Sequence, residues 1–218
     1  MIFPTLQGQP KAEVNLNLLA IEWFKEHPIE EGGQNPFLDP ESCEKIIADH
    51  HKKLGIAYSY GGWMEDRGTL WKGSYLDEQS NYMHVGIDIN ALADTPIAMD
   101  MHGEVVRIDD DFPEEGGWGP RVIVRLTDSP FFLIYAHLNE SIGCKVGDML
   151  SPGTIFASIG RPPHNGGWFP HLHVQVLSPE AYATLADNAE SIDGYVSKET
   201  KEEAVRLFPD PLLFIRFD

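Results

Sequence analysis

Four histidines and one carboxylate fall in three short stretches of the chain: Met83-His84-Val85-Gly86-Ile87-Asp88-Ile89, Tyr135-Ala136-His137-Leu138 and His171-Leu172-His173-Val174. Imidazole and carboxylate are natural ligands for zinc, which takes about four and leaves one position to water at a catalytic site. Together these groups supply a ligand set with an acid/base pair to spare, which is what a zinc hydrolase requires. His84 and Asp88 are four apart, and on an extended chain even spacings fall on one face. Gly86 between them lets the backbone bend or approach another element. His171 and His173 alternate with Leu172, Val174 and Val176, which predicts a strand with both imidazoles on one face. One of the two can bind metal while the other reaches a water or the substrate. His137 ends the run Phe131-Phe132-Leu133-Ile134-Tyr135, a predicted buried strand, and such ends are where scaffolds place chemistry.

Each signal is weak alone. A single His at a strand end is commonly structural, and His-x-His recurs in unrelated sites. In this order, each on a strand-like segment bounded by turn residues, the three predict a metal site. The remaining histidines read as structural or solvated. His27 closes a predicted helix, His50 and His51 sit in the last turn of another, His102 precedes a turn glycine, and His164 lies in a loop.

The three stretches resemble the lysostaphin-type zinc metallopeptidases, a peptidoglycan-endopeptidase family with a duplicated-hybrid-motif β fold. Thr95-Pro96-Ile97-Ala98 and His102-Gly103-Glu104-Val105-Val106 look like the family's first hairpin. Val146-Gly147-Asp148 and Ile159-Gly160 look like the segment before its last strand. Carried over residue by residue, the resemblance makes His84, Asp88 and His173 the ligands of one zinc ion per chain, and His137 and His171 the pair beside the water and the oxyanion. Two positions depart from the family pattern. Tyr82 stands where an Arg is common, and Arg161 to Pro170 replaces a Gly/Ser/Thr-rich approach to His-x-His. The second departure bears on substrate rather than metal. A looser resemblance covers Tyr60 to Arg67 and the tail. It is to intracellular fusion proteins in which such a domain lies between a kinase-like phosphotransferase domain and an aminotransferase.

Around these residues the chain divides into three expected parts: an N-terminal helical region over 1–57, a zinc-metallopeptidase-like β domain over 58–178, and a helical C-terminal extension over 179–218 packed on the core. Leu16, Leu19, Ala20, Trp23 and Phe24 recur at helical spacing within Asn15 to His27. Asp39-Pro40 reads as an N-cap followed by Pro at the first helical position, and Gly55 as the stop after Leu54. Residues 82–178 read as the β core. Pro179 to Ala189 and Ser197 to Phe208 read as helices, with Ala204, Val205, Leu207 and Phe208 packing inward. Asp109 to Trp118 reads as an acidic loop at the groove edge, without the alternating ligand pattern of a calcium loop. Glu65 and Arg67 are either a solvated pair or reach the groove. The expected fold is mainly β: an antiparallel, barrel-sandwich-like core with N-terminal helices and a short helical C-terminal extension.

The formal charge is −18, from 34 acidic and 16 basic residues. Such a surface repels nucleic acid, anionic lipid and anionic wall polymers. The first residues lack a positive n-region and a long apolar run, so no signal peptide is expected. No apolar run approaches the ~20 residues of a membrane span. Cys43 and Cys144 read as reduced thiols, which fits a cytoplasmic setting.

These readings give three functions. One is a zinc endopeptidase acting on Gly- or D-amino-acid-containing peptides such as peptidoglycan crosslinks. The second is a cytosolic zinc hydrolase of a small peptide or amide. The third is a non-catalytic peptide binder, which commonly loses a ligand or base, whereas all five positions are present here. No His-Glu-x-x-His helix supplies a glutamate base, so a histidine is the natural substitute because its pKa lies near working pH. His171 is assigned as that base. His137 is assigned to the oxyanion or the leaving amine, and the two roles can be exchanged.

Overall fold

The computed structural model describes residues 1–30, 32–111, 117–187 and 192–218. Two helices open the chain after a short strand β1 (Lys11–Glu13). Helix α1 (Leu16–Glu26) starts where the Asn15 side chain accepts from Leu18 N–H, and it buries Leu16, Leu19 and Ala20. Helix α2 (Pro40–Leu54) begins after the Asp39 cap and ends at Gly55, whose φ of 70° is left-handed. A residue with a Cβ pays a steric penalty there, which is why glycine makes the stop. Both helices lie where the sequence predicts them.

The strands follow: β2 (Tyr58–Gly61), then, after the short helix α3 (Leu76–Gln79), β3 (Met83–His84), β4 (Ile87–Asn90), β5 (Pro96–Ala98), β6 (Gly103–Asp111), β7 (Gly119–Leu126), β8 (Phe132–Ala136), β9 (Met149–Leu150), β10 (Ile155–Ser158) and β11 (Leu172–Leu177). Helix α4 (Pro179–Asp187), strand β12 (Tyr195–Val196) and helix α5 (Lys201–Leu207) complete the chain. An eight-stranded sheet has the order β1-β2-β4-β11-β8-β7-β6-β9. Its pairings are antiparallel except β1 with β2, so the N-terminal region contributes a strand as well as helices. The mainly β antiparallel expectation is met.

Side chains alternate across a strand. Leu172, Val174 and Val176 of β11, Ile87 and Ile89 of β4, and Leu133 and Tyr135 of β8 join the larger core. Fully burying one such aliphatic side chain contributes about 1.5–3 kcal/mol relative to exposure. The intervening residues, Asp88 on β4 and His173 and Gln175 on β11, take the opposite face. There Ile134, Ala136 and Leu177 pack with Ala181 and Leu185 of α4 and Ala204 and Phe208 beside them. The site thus lies on the face of the sheet that also carries the C-terminal helices.

Three expectations need correction, and one open alternative is decided. Residues 95–98 and 102–106 do not form a hairpin: β5 pairs with β10, while β6 pairs with β7 and β9. Asp109 to Asp111 continue β6 rather than lying in a loop, because the paired run extends to Asp111 opposite Gly119; residues 112–116 of that stretch lie outside the described residues. Val205 is 40% exposed, while Ala204 and Phe208 face the core. Of the two alternatives left open for Glu65 and Arg67, the solvated pair is excluded: both are buried beneath the site.

Candidate active site

Register brings the three stretches together. His173 stands opposite Asp88 across β11–β4 and opposite Ala136, the residue before His137, across β11–β8. His84 stands opposite Tyr195 across β3–β12. His137 has a φ of 60° at the end of β8, a left-handed value uncommon for a residue with a Cβ. Its N–H donates to Trp118 O and its carbonyl accepts from Gly160 N, which holds this conformation. Gly86 is needed for close approach: a Cβ there would stand 2.5 Å from Cε1 and Nε2 of His173. The glycine between His84 and Asp88 is therefore where the His173 ring lies.

All five predicted site residues converge and all are buried. Asp88 Oδ1 lies 3.0 Å from His173 Nδ1 and 3.4 Å from His84 Nε2. Those two ring nitrogens are 3.1 Å apart. His171 Nε2 lies 3.6 Å from the same carboxylate oxygen. The rings of His137 and His171 are 4.4 Å apart, centroid to centroid.

Each imidazole has its second nitrogen tied to an oxygen. His84 Nδ1 is 3.0 Å from Gly62 O, His137 Nδ1 is 2.9 Å from Asn165 O, and His171 Nδ1 is 2.8 Å from Phe169 O. His173 is reversed, with Nε2 3.1 Å from Gln175 Oε1. A carbonyl oxygen only accepts, so these contacts assign the proton to the outer nitrogen in all four rings. The inner nitrogens then carry lone pairs. His84 Nε2, His173 Nδ1 and Asp88 Oδ1 face one another as three acceptors with no proton between them, a mutually repulsive arrangement that a divalent cation makes favourable. Their ligand atoms lie within 4.8 Å of one another. The donor set fits a metal ion, and His84, Asp88 and His173 are the residues that could hold it.

The electrostatics agree. Burial, reinforced by the Arg67 charge, pushes the His84 imidazole down to about 3, so it is neutral and free to act as a ligand. Burial, with His171 and His173 alongside, holds His137 well below its ordinary value. His171 is also lowered by burial, and Asp88 partly offsets that shift. Burial alone would raise Asp88; with the imidazoles neutral, the Arg67 guanidinium against Oδ2 is the charge that keeps the carboxyl well below the usual carboxylate range.

The site opens into a cleft of about 430 Å³ lined by Trp71, Tyr75, Trp118, Trp168 and Tyr195, with Asp109, Asp110 and Asp193 among its polar residues. Asp109 pairs with Arg107 at 2.7 Å and with Arg121 at 3.1 Å. Trp168, from the loop expected to line the groove, does so; His164 is exposed and lies 2.8 Å from Glu140. His51 contacts Ser59 Oγ at 2.8 Å, a structural role. Sequence reasoning missed Gln175, Tyr195 and the carbonyls of Gly62, Asn165 and Phe169, and left Arg67 unassigned. Gln175 carried a signal: it is a polar residue two beyond His173 on the same face of an apolar strand.

Residues 82–186 match Peptidase family M23. That segment contains all five converging residues, and the family it is similar to is one of peptidases. Among solved structures, the catalytic domain of a prophage-encoded M23 protein from Enterococcus faecalis is 28% identical over 44% of this chain and 68% of that one, with a TM-score of 0.38. The catalytic domain of lysostaphin from Staphylococcus simulans is 23% identical over 61% of this chain and 78% of its own, with a TM-score of 0.42. A zinc-containing peptidase from Vibrio cholerae is 24% identical over 45% of this chain and 28% of that one, with a TM-score of 0.37. No curated protein matches the chain.

Proposed function

We propose that this protein is a zinc-dependent metalloendopeptidase, with His84, Asp88 and His173 as zinc ligands and His137 and His171 as the acid/base pair. The observation that carries the reading is the convergence of three lone-pair atoms whose protons are committed elsewhere. A zinc ion held by two neutral imidazoles and one carboxylate supplies Lewis-acid polarisation of a peptide carbonyl and lowers the pKa of water toward ~7.

The protein's own groups do the rest. His171 Nε2 takes a proton from the attacking water as its oxygen bonds to the carbonyl carbon. The Asp88 carboxylate, 3.6 Å away, favours the imidazolium that results. As the C–N bond breaks, that proton passes to the departing nitrogen, and the products are a carboxylate and an amine. The Phe169 carbonyl holds the ring in one orientation throughout. His137 presents a lone pair at rest, so it orients by accepting a hydrogen bond and stabilises an oxyanion only after gaining a proton.

The substrate reading is a short peptide containing Gly or D-residues, of the peptidoglycan crosslink type. The family match and the aromatic cleft support it. The charge of −18 disfavours intact anionic wall polymer and favours released fragments. Digestion of purified muropeptides by the zinc-loaded protein, read by mass spectrometry beside His171→Ala, tests this. The expected result is a cleavage product seen with the unsubstituted protein and absent with the variant. No product with zinc bound would transfer the reading to a small amide, the second function class. Full turnover by His171→Ala would remove the assigned base.

A further inference from the structure

The most buried charge among the described residues is used neither to bind metal nor to move protons. Arg67 is 0% exposed and sits directly behind Asp88. Its Nη1 donates to Asp88 Oδ2 at 2.5 Å and to Tyr195 OH at 3.1 Å. Its Nε lies 3.4 Å from Glu65 Oε1. Glu65 in turn accepts from the backbone N–H of Asn17 at 2.8 Å, in the first turn of α1. Tyr195 OH also accepts from Trp71 Nε1 at 2.6 Å. Besides Asp88, the guanidinium therefore meets two groups that are themselves anchored, the Tyr195 hydroxyl and the Glu65 carboxylate.

The two oxygens of Asp88 have separate partners. Oδ1 faces His84, His171 and His173, while Oδ2 faces Arg67. A carboxylate on an open strand could rotate or offer both oxygens to a cation; this one is pinned. We propose that Arg67 is the positioning residue of the metal centre: it holds Asp88 Oδ2 so that Oδ1 alone is offered between His84 and His173, and Glu65, anchored on the first turn of α1, holds Arg67. The inference rests on the metal-site reading above and adds to it that the N-terminal helical region is a working part of the centre.

Groups that orient metal ligands from behind carry about 10- to 100-fold in affinity or activity. A neutral or truncated residue at 67 alone would leave Glu65 and Asp88 buried without a counter-charge, so the test uses two charge-conserving changes. Arg67→Lys keeps the charge but replaces the planar fork with a single point donor. Glu65→Gln combined with Arg67→Gln removes one charge of each sign. Zinc affinity of the chelator-stripped full chain, by competition with a chromogenic chelator, is read beside the thermal midpoint of the metal-free protein and the visible spectrum of the cobalt form. The expected result is folded protein, zinc affinity at least about tenfold weaker in both variants, and a weaker cobalt d–d band as Asp88 adds its second oxygen. Native affinity and an unchanged cobalt spectrum in either folded variant would overturn the proposal. Should Arg67→Lys fail to fold, the paired variant decides alone. Failure of the unsubstituted protein to bind zinc would instead remove the metal-site reading itself, so the two failures are distinguishable.

Discussion

At the scale of single residues, the site is defined by where each imidazole sends its outer proton. Gln175 is the clearest case. Its Oε1 accepts from His173, and its amide nitrogen lies 3.4 Å from Asp193 O, which turns the oxygen toward the ring. Gln175→Leu should keep the fold and weaken zinc binding about 10- to 100-fold, measured by chelator competition. Binding at the native level would show that the His173 tautomer is set by something else. Gly86→Ala should be at least as damaging, because its Cβ would meet the His173 ring at 2.5 Å and displace a ligand. Zinc content after dialysis reads this directly, and a stoichiometric ion in the variant would contradict it. The five chemical residues were legible in the sequence because their types and even spacings on apolar strands carry the information locally. Their supports were not. Gly62, Asn165 and Phe169 act through backbone carbonyls, which any residue type supplies. Arg67 reaches Asp88 from 21 positions away.

At the scale of elements, the segment from Gly62 to Trp71 is wedged between α1 and the site, and one residue clamps it. Asn17 Oδ1 accepts from both Thr69 N and Leu70 N at 2.9 Å, while the Asn17 backbone N–H holds Glu65. Asn17→Ala would leave two part-buried amides without their acceptor, at about 1–3 kcal/mol for a group so stranded. A urea melt should show that loss while His171 and His137 keep their carbonyl partners. An unchanged midpoint would mean that the segment is held without α1. The helices themselves were readable from caps, periodicity and the Gly55 stop. The pairing of β5 with β10 was not, because it joins residues 96–98 to 155–158 across most of the β core. Local pattern gives a strand's existence and its buried face; it does not give its partner. The same limit hid the strand role of Lys11–Glu13, a run too short and polar to show a period.

At the scale of the whole molecule, acid should unfold the metal-free protein early. His84 is held near 3 when folded, against ~6.5 in an unfolded chain, and His137 and His171 are lowered in the same direction. Below pH ~6.5 the unfolded chain takes up protons that the folded chain refuses, so the stability these groups contribute is full above ~6.5 and lost as pH falls toward the folded values. Each buried imidazole contributes up to ~1.4 kcal/mol per pH unit in that window. Asp88 adds to the trend at lower pH, since its depressed carboxyl contributes stability above ~3.9 that is lost as pH falls through the folded value. Thermal midpoints of the metal-free protein should therefore fall steeply from pH 6.5 to 4.5, and a flat profile would mean that these rings are not buried neutral. No helix among the described residues is long and apolar enough to cross a membrane. Calorimetric titration of chelator-stripped protein with zinc tests the metal centre. One ion per chain is expected, lost in His84→Ala and Asp88→Asn and retained in His171→Ala. No binding by the unsubstituted protein, or undiminished binding by Asp88→Asn, would contradict it.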